Sequence, residues 1–428
     1  SQRTNREKTM IDVRNLERVA TQDLRYGLYI AELDRPWDEV PVMFQGFVLK
    51  SARDLKTLQK HCEYVFVERE RSQPDAYDAA VAAAAPTKGN VAKAAAGKGG
   101  RYPKKSQLAA RVKAAVEQRV QSLDFLNRSL ADVRLGRAVS SREARQVVEA
   151  LADQVTNNAD AMLWLTSLKK KDAYSSLHSV NVAVLTLAFG MHLVIRGQSL
   201  ETLGLGALLH DVGKVRLPSK LLNKPEPLSP EEWTRAKGHA EVGVEVLQKS
   251  GGFSKEVLDI VGMHHERLDG SGYPNGLRGS DFPYAARIVA LANAYDSLTT
   301  NRPYRSARPA DEALQELYNQ RESSYGSELV QEFIQCIGIF PVGSLVKLDN
   351  GALGIVVGTS PDNRLRPTVL LVQTPEGEPY QKRVLLNLAS EPEPDAEHSA
   401  RHIRDVVNPA EHDIDIGAIV AFEFGIDW

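Results

Sequence analysis

The sequence predicts a multidomain protein: an all-α core, a small mainly-β module before it and a small β-barrel-like appendage after it. Three observations carry that reading. Apolar residues recur at helical spacing from Leu108 to about Cys336, strand-like alternation appears on both sides of that span, and an Ala-, Gly- and Lys-rich stretch sets the first module apart. A chain of 428 residues has room for about two or three domains. Its 43% hydrophobic and 25% charged residues are those of a globular protein with a core. Lys plus Arg number 53 against 55 Asp plus Glu, so no global basic field exists to hold a polynucleotide. Two cysteines, Cys62 and Cys336, exclude a disulfide framework, and the polar start Ser1-Gln2-Arg3-Thr4-Asn5 has no signal-peptide core. We therefore expect a cytoplasmic chain. The longest apolar stretch, around Val180 to Ile195, is broken by Gly190 and His192 and is too short to span a bilayer.

Residues 8–75 form the first module. Val40, Val42, Phe44, Phe47 and Leu49 alternate roughly, Val65-Phe66-Val67 is a short strand, and Leu55 and Leu58 lie at helical spacing between them. Residues 76–105 hold too little apolar surface to offset the entropy of ordering and read as a linker. Residues 106–150 read as connecting helices, with Val112, Val116, Val120, Leu123 and Leu126 as one apolar stripe. Helices continue through residues 151–337, with a turn-rich interruption near Asp269 to Pro283. Residues 338–428 return to strand-like runs (Leu345 to Leu348, Ile355 to Val357, Val369 to Val372) among turn signals, followed by a tail whose His398, His402 and His412 are expected to be solvated.

Within the helical span, histidines sit on apolar faces. His178 is in line with Val182 and Leu185, and an apolar helix from Ser199 ends in His210-Asp211. Ser229-Pro230-Glu231-Glu232 is a capping box opening a helix in which His239 stacks with Val242 and Val246. A helix from Ser254 aims Val257, Ile260 and Val261 the same way as His264 and His265. Taken singly, a buried histidine is most simply a hydrogen-bonded core residue, and His61 and His192 are read so. Five imidazoles and a carboxylate together need a cation or a dense hydrogen-bond network. Imidazole with carboxylate suits Fe, Mn, Zn, Ni or Co rather than Ca, and this many donors suits two ions with Asp211 bridging. Lys214, one turn on, would bring a positive charge beside them.

The string His178 … His210-Asp211-Val212-Gly213-Lys214 … His239 … His264-His265-Glu266-Arg267-Leu268-Asp269-Gly270-Ser271-Gly272-Tyr273-Pro274 … Arg302-Pro303-Tyr304-Arg305 resembles the HD-GYP domain, a branch of the HD phosphohydrolases, over roughly residues 150–335. Glu32-Leu33-Asp34-Arg35-Pro36-Trp37 resembles the small module often found before such domains. The resemblance implies an all-α HD-type catalytic domain with a metal centre, often iron or manganese, that hydrolyses cyclic di-GMP to linear pGpG and in some members to GMP. It implies His178, His210, Asp211, His239, His264 and His265 as metal ligands. An ion-activated hydroxide would attack phosphorus, and Lys214 would neutralise charge in the transition state. Gly272, Tyr273 and Pro274 fall in a glycine-rich loop whose backbone can approach a phosphate or base, and Arg302 and Arg305 can fork onto a phosphate or a guanine edge. As expected partners we take cyclic di-GMP and either a second copy or a signalling protein such as a diguanylate cyclase.

Two departures matter. The family usually has Ala-Asp where this chain has Ala292-Asn293, and that Asp is a ligand; an amide brings no charge, so affinity for that ion falls, with Asp296 one turn on as a compensating ligand. Tyr174 occupies the place where some members hold a third metal through a carboxylate, which predicts two ions. Two functions follow: an active cyclic di-GMP phosphodiesterase, or a weakened or inactive homologue that binds cyclic di-GMP and signals through protein partners. A third, an HD hydrolase of other nucleotides, is disfavoured by the Gly-Tyr-Pro loop. The flanking modules are expected to regulate access or association.

Overall fold

The computed structural model describes residues 16–25, 27–35, 47–49, 52–68, 72, 105–168, 174–222, 224, 226–301, 307–359, 366–389 and 402–425. The chain divides into two compact units, residues 1–101 and 102–428.

In the first unit, β1 (Leu16–Ala20), β2 (Tyr29–Leu33), β3 (Phe47–Val48) and β4 (Tyr64–Glu68) form an antiparallel sheet in the order β1-β4-β2-β3, and α1 (Ala52–His61) precedes β4. Alternate residues of β4, Val65 and Val67, enter a core with Leu24, Ile30, Leu33, Leu49, Leu58 and Cys62. Asp34 ties the end of β2 to the start of β4 by accepting from the Glu63 amide at 2.7 Å and from Arg35 Nε at 2.9 Å. Burial alone would raise its pKa; these donors bring it down to about 2. The expected alternation at Val40 to Phe44, Pro36-Trp37 and linker residues 76–104 lie outside the described residues.

The second unit opens with α2 (Lys105–Arg134), α3 (Ser141–Ser167), α4 (Tyr174–His192) and α5 (Gly197–Leu209), which pack on one another. The Ser140 hydroxyl accepts from the Glu143 amide, a cap that contributes about 1 kcal/mol. α4 and α5 are apolar nearly all round and are buried accordingly. The stripe predicted for α2 is corrected at one position. Val112, Val116 and Leu126 are buried, but Val120 is 49% exposed and Arg119 takes the inward place. The Arg119 guanidinium donates to the Leu165 carbonyl at 2.7 Å at the end of α3, where a helix leaves its last carbonyls without partners. Burial lowers the Arg119 pKa to about 10.

Beyond α5 come a 3₁₀ turn (Val212–Arg216), α6 (Ser219–Leu222), α7 (Pro230–Lys237), α8 (His239–Ser250), α9 (Lys255–Met263), α10 (Tyr284–Leu298), α11 (Ala310–Asn319) and α12 (Ser327–Ile337). The capping box at Ser229 and Glu232 is present. The helix it opens stops at Lys237, however, and His239 begins a new one instead of continuing the first, with Gly238 as the break.

The C-terminal strands β5 (Leu345–Leu348), β6 (Leu353–Gly358), β7 (Thr368–Gln373), β8 (Leu385–Asn387) and β9 (Ile403–Val406) form an antiparallel sheet in the order β8-β7-β6-β5-β9. Its end strands do not pair with each other, so the appendage is an open sheet and not a closed barrel. The tail folds into α13 (Ile416–Phe424), capped by Asp415, with Phe424 edge-on to the buried Trp164 at 5.7 Å. Eight of its nine residues are apolar; Val420 and Phe424 are buried, and Phe422 is left exposed. His402 is exposed, His412 half-buried, and His398 lies outside the described residues. Among the described residues no helix is long and apolar enough to cross a membrane.

Candidate metal centre

Helix ends aim the histidines. His210 and His264 are the residues that close α5 and α9, His239 opens α8, and His178 lies in the first half of α4. In each, Nδ1 is committed to the protein. It donates to the Ala207 carbonyl from His210 (2.7 Å), to Ala236 from His239 (2.7 Å), to Val261 from His264 (2.8 Å) and to the Asp296 carboxylate from His178 (2.7 Å). A carbonyl cannot donate, so the proton is on Nδ1, and in a neutral ring the Nε2 lone pair points inward.

All four Nε2 atoms converge on Asp211. They lie 3.3 Å (His210) and 3.8 Å (His178) from Oδ2, and 3.3 Å (His239) and 3.8 Å (His264) from Oδ1. These are too long for charge-assisted hydrogen bonds, which run about 2.7–2.9 Å. They suit atoms sharing an ion, since ligands at about 2.0–2.2 Å from one centre sit roughly 3.0–3.5 Å apart. His239 Nε2 and His264 Nε2 are 3.3 Å apart, two lone pairs facing each other. His210 Nε2 and Asp211 Oδ1 are buried without a hydrogen-bond partner. Burial and neighbouring imidazoles hold His264 and His265 well below their ordinary pKa, and burial also lowers His178 against the pull of Asp296. For Asp211, burial acts to raise the pKa, but His210 and Lys214 outweigh it and keep the carboxyl ionised. The donors fall into two sets, Asp211 with His239, His264 and His265, and Asp211 with His178 and His210, so one carboxylate belongs to both. The donor chemistry fits divalent transition metals.

Lys214 Nζ donates to Asp211 Oδ2 at 2.5 Å, placing its charge at the edge of the cluster. Gly213 does more than end a helix: a Cβ there would meet the His239 carbonyl at 1.9 Å, so the 3₁₀ turn can press against the start of α8 only without a side chain. Tyr273 stacks on His265 with centroids 4.5 Å apart. At Gly272 a Cβ would run into the protein's own backbone at Glu266 Cα and Arg267 N, so the loop closes there only without a side chain. The expectation for Asp296 is corrected. Its carboxylate accepts from His178 Nδ1 and from the Asn181 amide (3.1 Å), and it lies in neither donor set, so it is not placed to compensate for Asn293. Asn293 is buried on α10, with Ser297 Oγ 3.4 Å from its Oδ1. Pro274 follows Tyr273 in the same loop, while Arg302 and Arg305 lie outside the described residues.

The sequence reading missed Glu266 as a structural residue. Its buried carboxylate accepts from the amides of Asn275 (2.7 Å) and Leu277 (3.0 Å), closing the loop that presents Tyr273. No spacing rule signals such a bond, because an irregular loop connects the partners.

Residues 149–329 match the family described as HD domain, and residues 16–144 match a domain of unknown function, DUF3391. A protein named cyclic di-GMP phosphodiesterase from Pseudomonas aeruginosa is 31% identical over 362 residues, covering 83% of this chain and 84% of that one. The chain belongs to the HD-GYP family. Two further relatives match shorter stretches of the chain. The cyclic di-GMP phosphodiesterase of Thermotoga maritima is 38% identical over 130 residues, 30% of this chain and 35% of the relative. The 3'3'-cGAMP-specific phosphodiesterase 3 of Vibrio cholerae is 34% identical over 171 residues, 40% of this chain and 37% of the relative.

Proposed function

We propose that this HD-GYP protein is a metal-dependent phosphodiesterase that opens cyclic di-GMP to linear pGpG. His178, His210, Asp211, His239, His264 and His265 would hold two divalent ions, iron or manganese first among them, with Asn293 as a weak neutral ligand. The observation that carries this is the convergence of proton-free Nε2 atoms on one shared carboxylate. When bound, the ions supply Lewis-acid activation of water and charge stabilisation on phosphorus. The chain's own part is positional. The Nδ1–H tethers fix the rings, Asp296 holds the His178 proton, Lys214 sets an ammonium where an anionic phosphate would arrive, and Tyr273 walls the site beside His265. The catalytic unit is taken as residues 151–337, bounded by the end of α12, with residues 8–75 and 338–428 as regulatory modules.

Asn293 supports a second reading, an attenuated homologue that binds cyclic di-GMP and signals through a partner. The experiment compares wild type and Asn293→Asp, both manganese- or iron-loaded, on cyclic di-GMP and 3'3'-cGAMP. We expect turnover of cyclic di-GMP by wild type and a metal affinity raised roughly tenfold in the variant, the scale on which a ligand's surroundings act. Binding without turnover in both proteins would favour the second reading.

A further inference from the structure

Beside the donor cluster, α7 carries a tryptophan that the fold does not bury. Trp233 is 47% exposed, although its ring stands edge-on to Tyr273 with centroids 6.1 Å apart, and Tyr273 in turn stacks on His265. One helical turn later, Lys237 Nζ lies 5.5 Å from the Trp233 ring centroid and 5.4 Å from that of Tyr273. Among the described residues Lys237 has no carboxylate partner. The carboxylates in the first turn of its helix are taken: Glu232 by Lys224 at 2.6 Å and by the Ser229 amide, and Glu231 by the Ser229 hydroxyl. An aromatic line therefore runs from the imidazoles to the surface and ends in a half-exposed indole, with the Lys237 ammonium over it and no carboxylate partner for that ammonium among the described residues.

Resting on the cyclic dinucleotide reading above, we propose that Trp233 and Lys237 form the wall that receives one guanine of the substrate. The bases of a cyclic dinucleotide extend sideways from its phosphates, so a base partner must stand beside the donor cluster and not within it, as Trp233 does. An exposed indole stacks on any base. The choice of guanine comes from Lys237. Guanine presents the O6 and N7 acceptors to an ammonium, whereas adenine offers N7 together with an amino donor that repels it. Trp233 supplies the affinity and Lys237 the preference.

The test uses the full chain and its Trp233→Ala, Trp233→Phe and Lys237→Met variants. Calorimetry in chelator measures binding of cyclic di-GMP and cyclic di-AMP, and the metal-loaded proteins are assayed on cyclic di-GMP and bis(p-nitrophenyl) phosphate. Trp233→Ala should weaken cyclic di-GMP binding about tenfold or more, and Trp233→Phe should restore most of it, because a flat ring suffices. Lys237→Met should bring the two dinucleotides to similar affinity. The loss of activity in Trp233→Ala should be larger on cyclic di-GMP than on bis(p-nitrophenyl) phosphate, which has no purine. Wild-type affinity in Trp233→Ala, an equal loss in Trp233→Phe, or an equal fall on both substrates would overturn the proposal. Wild type that binds cyclic di-GMP through this wall without hydrolysing it would defeat the phosphodiesterase reading and leave the wall standing. Hydrolysis with unaltered binding in the variants would do the reverse, and wild type binding neither dinucleotide would end both.

Discussion

The donor cluster and the loop that follows it each hide a carboxylate from water, and they settle that charge in different ways. Glu266, fully buried in the loop, receives two backbone amides, one on each oxygen. Asp211, almost as deeply buried, receives Lys214 on one oxygen, while the other faces imidazole nitrogens that have no proton to give. A buried anion must be compensated. In the loop the protein provides the compensation itself, and the result is structure. In the cluster the protein stops short, and the shortfall has the shape and chemistry of a cation site. Burial alone would not separate a staple from a binding centre; the directions in which the neighbours' protons point do.

The largest effect should come from the cluster. Asp211→Asn removes the one carboxylate common to both donor sets. Second-layer changes at metal sites cost about 10–100-fold, so removal of a shared ligand should exceed that, lowering turnover more than ~100-fold. Elemental analysis of desalted, metal-loaded protein should find little metal retained. In chelator, the variant should unfold only slightly earlier than wild type, by what the Lys214 ion pair contributes, since no other side chain among the described residues donates a short hydrogen bond to this carboxylate. A variant that unfolds early without metal, yet holds metal when loaded, would break the contrast with Glu266.

Glu266→Ala should behave in the opposite way. It removes the charged acceptor of two part-buried amides, each bond worth about 1.5 kcal/mol, so a loss of about 3 kcal/mol is expected in urea unfolding, with or without metal. Activity should fall only as far as the loop and Tyr273 lose their place. Unchanged stability would mean that water can replace the carboxylate and that the loop is held by other bonds.

This contrast also shows what could be read before the fold was known. The histidines were legible because each falls at a helix end or on an apolar face, where period and capping residues fix its direction. His239 lies in the donor cluster with them, although a helix break at Gly238, which no spacing rule signals, separates it from the capping box. Asp296 was read as a ligand because its spacing from Asn293 puts both on one side of α10, but spacing cannot reveal that His178 Nδ1 takes that carboxylate from a different helix. Val120 failed for a related reason: the stripe rule counts apolar residues and cannot know that the carbonyls ending α3 need the Arg119 guanidinium. The bonds of Glu266 and the fold of α13 depend on tertiary partners that the local sequence does not announce.

A third carboxylate, half-buried, sharpens the comparison with the smallest effect. Asp160, on α3, accepts from the Thr359 hydroxyl at 2.9 Å and more weakly from its amide at 3.4 Å, tying the helical core to the residue after β6. Burial pushes its pKa up, against the pull of those two donors. The folded protein therefore holds this proton more tightly than the unfolded chain does. Below the ordinary carboxylate pKa both states are protonated and nothing is lost; as pH rises from there through the raised folded value, stability declines, because the unfolded state ionises first. Asp160→Asn removes that decline. Relative to wild type, the variant should gain in urea midpoint between pH 4 and pH 7, and a difference that stays constant with pH would show Asp160 to be compensated as fully as Glu266. Neutral donors are enough to hold a charge of this kind in place but not enough to make its burial free, which is the intermediate case between a carboxylate that staples a loop and one that waits for a cation.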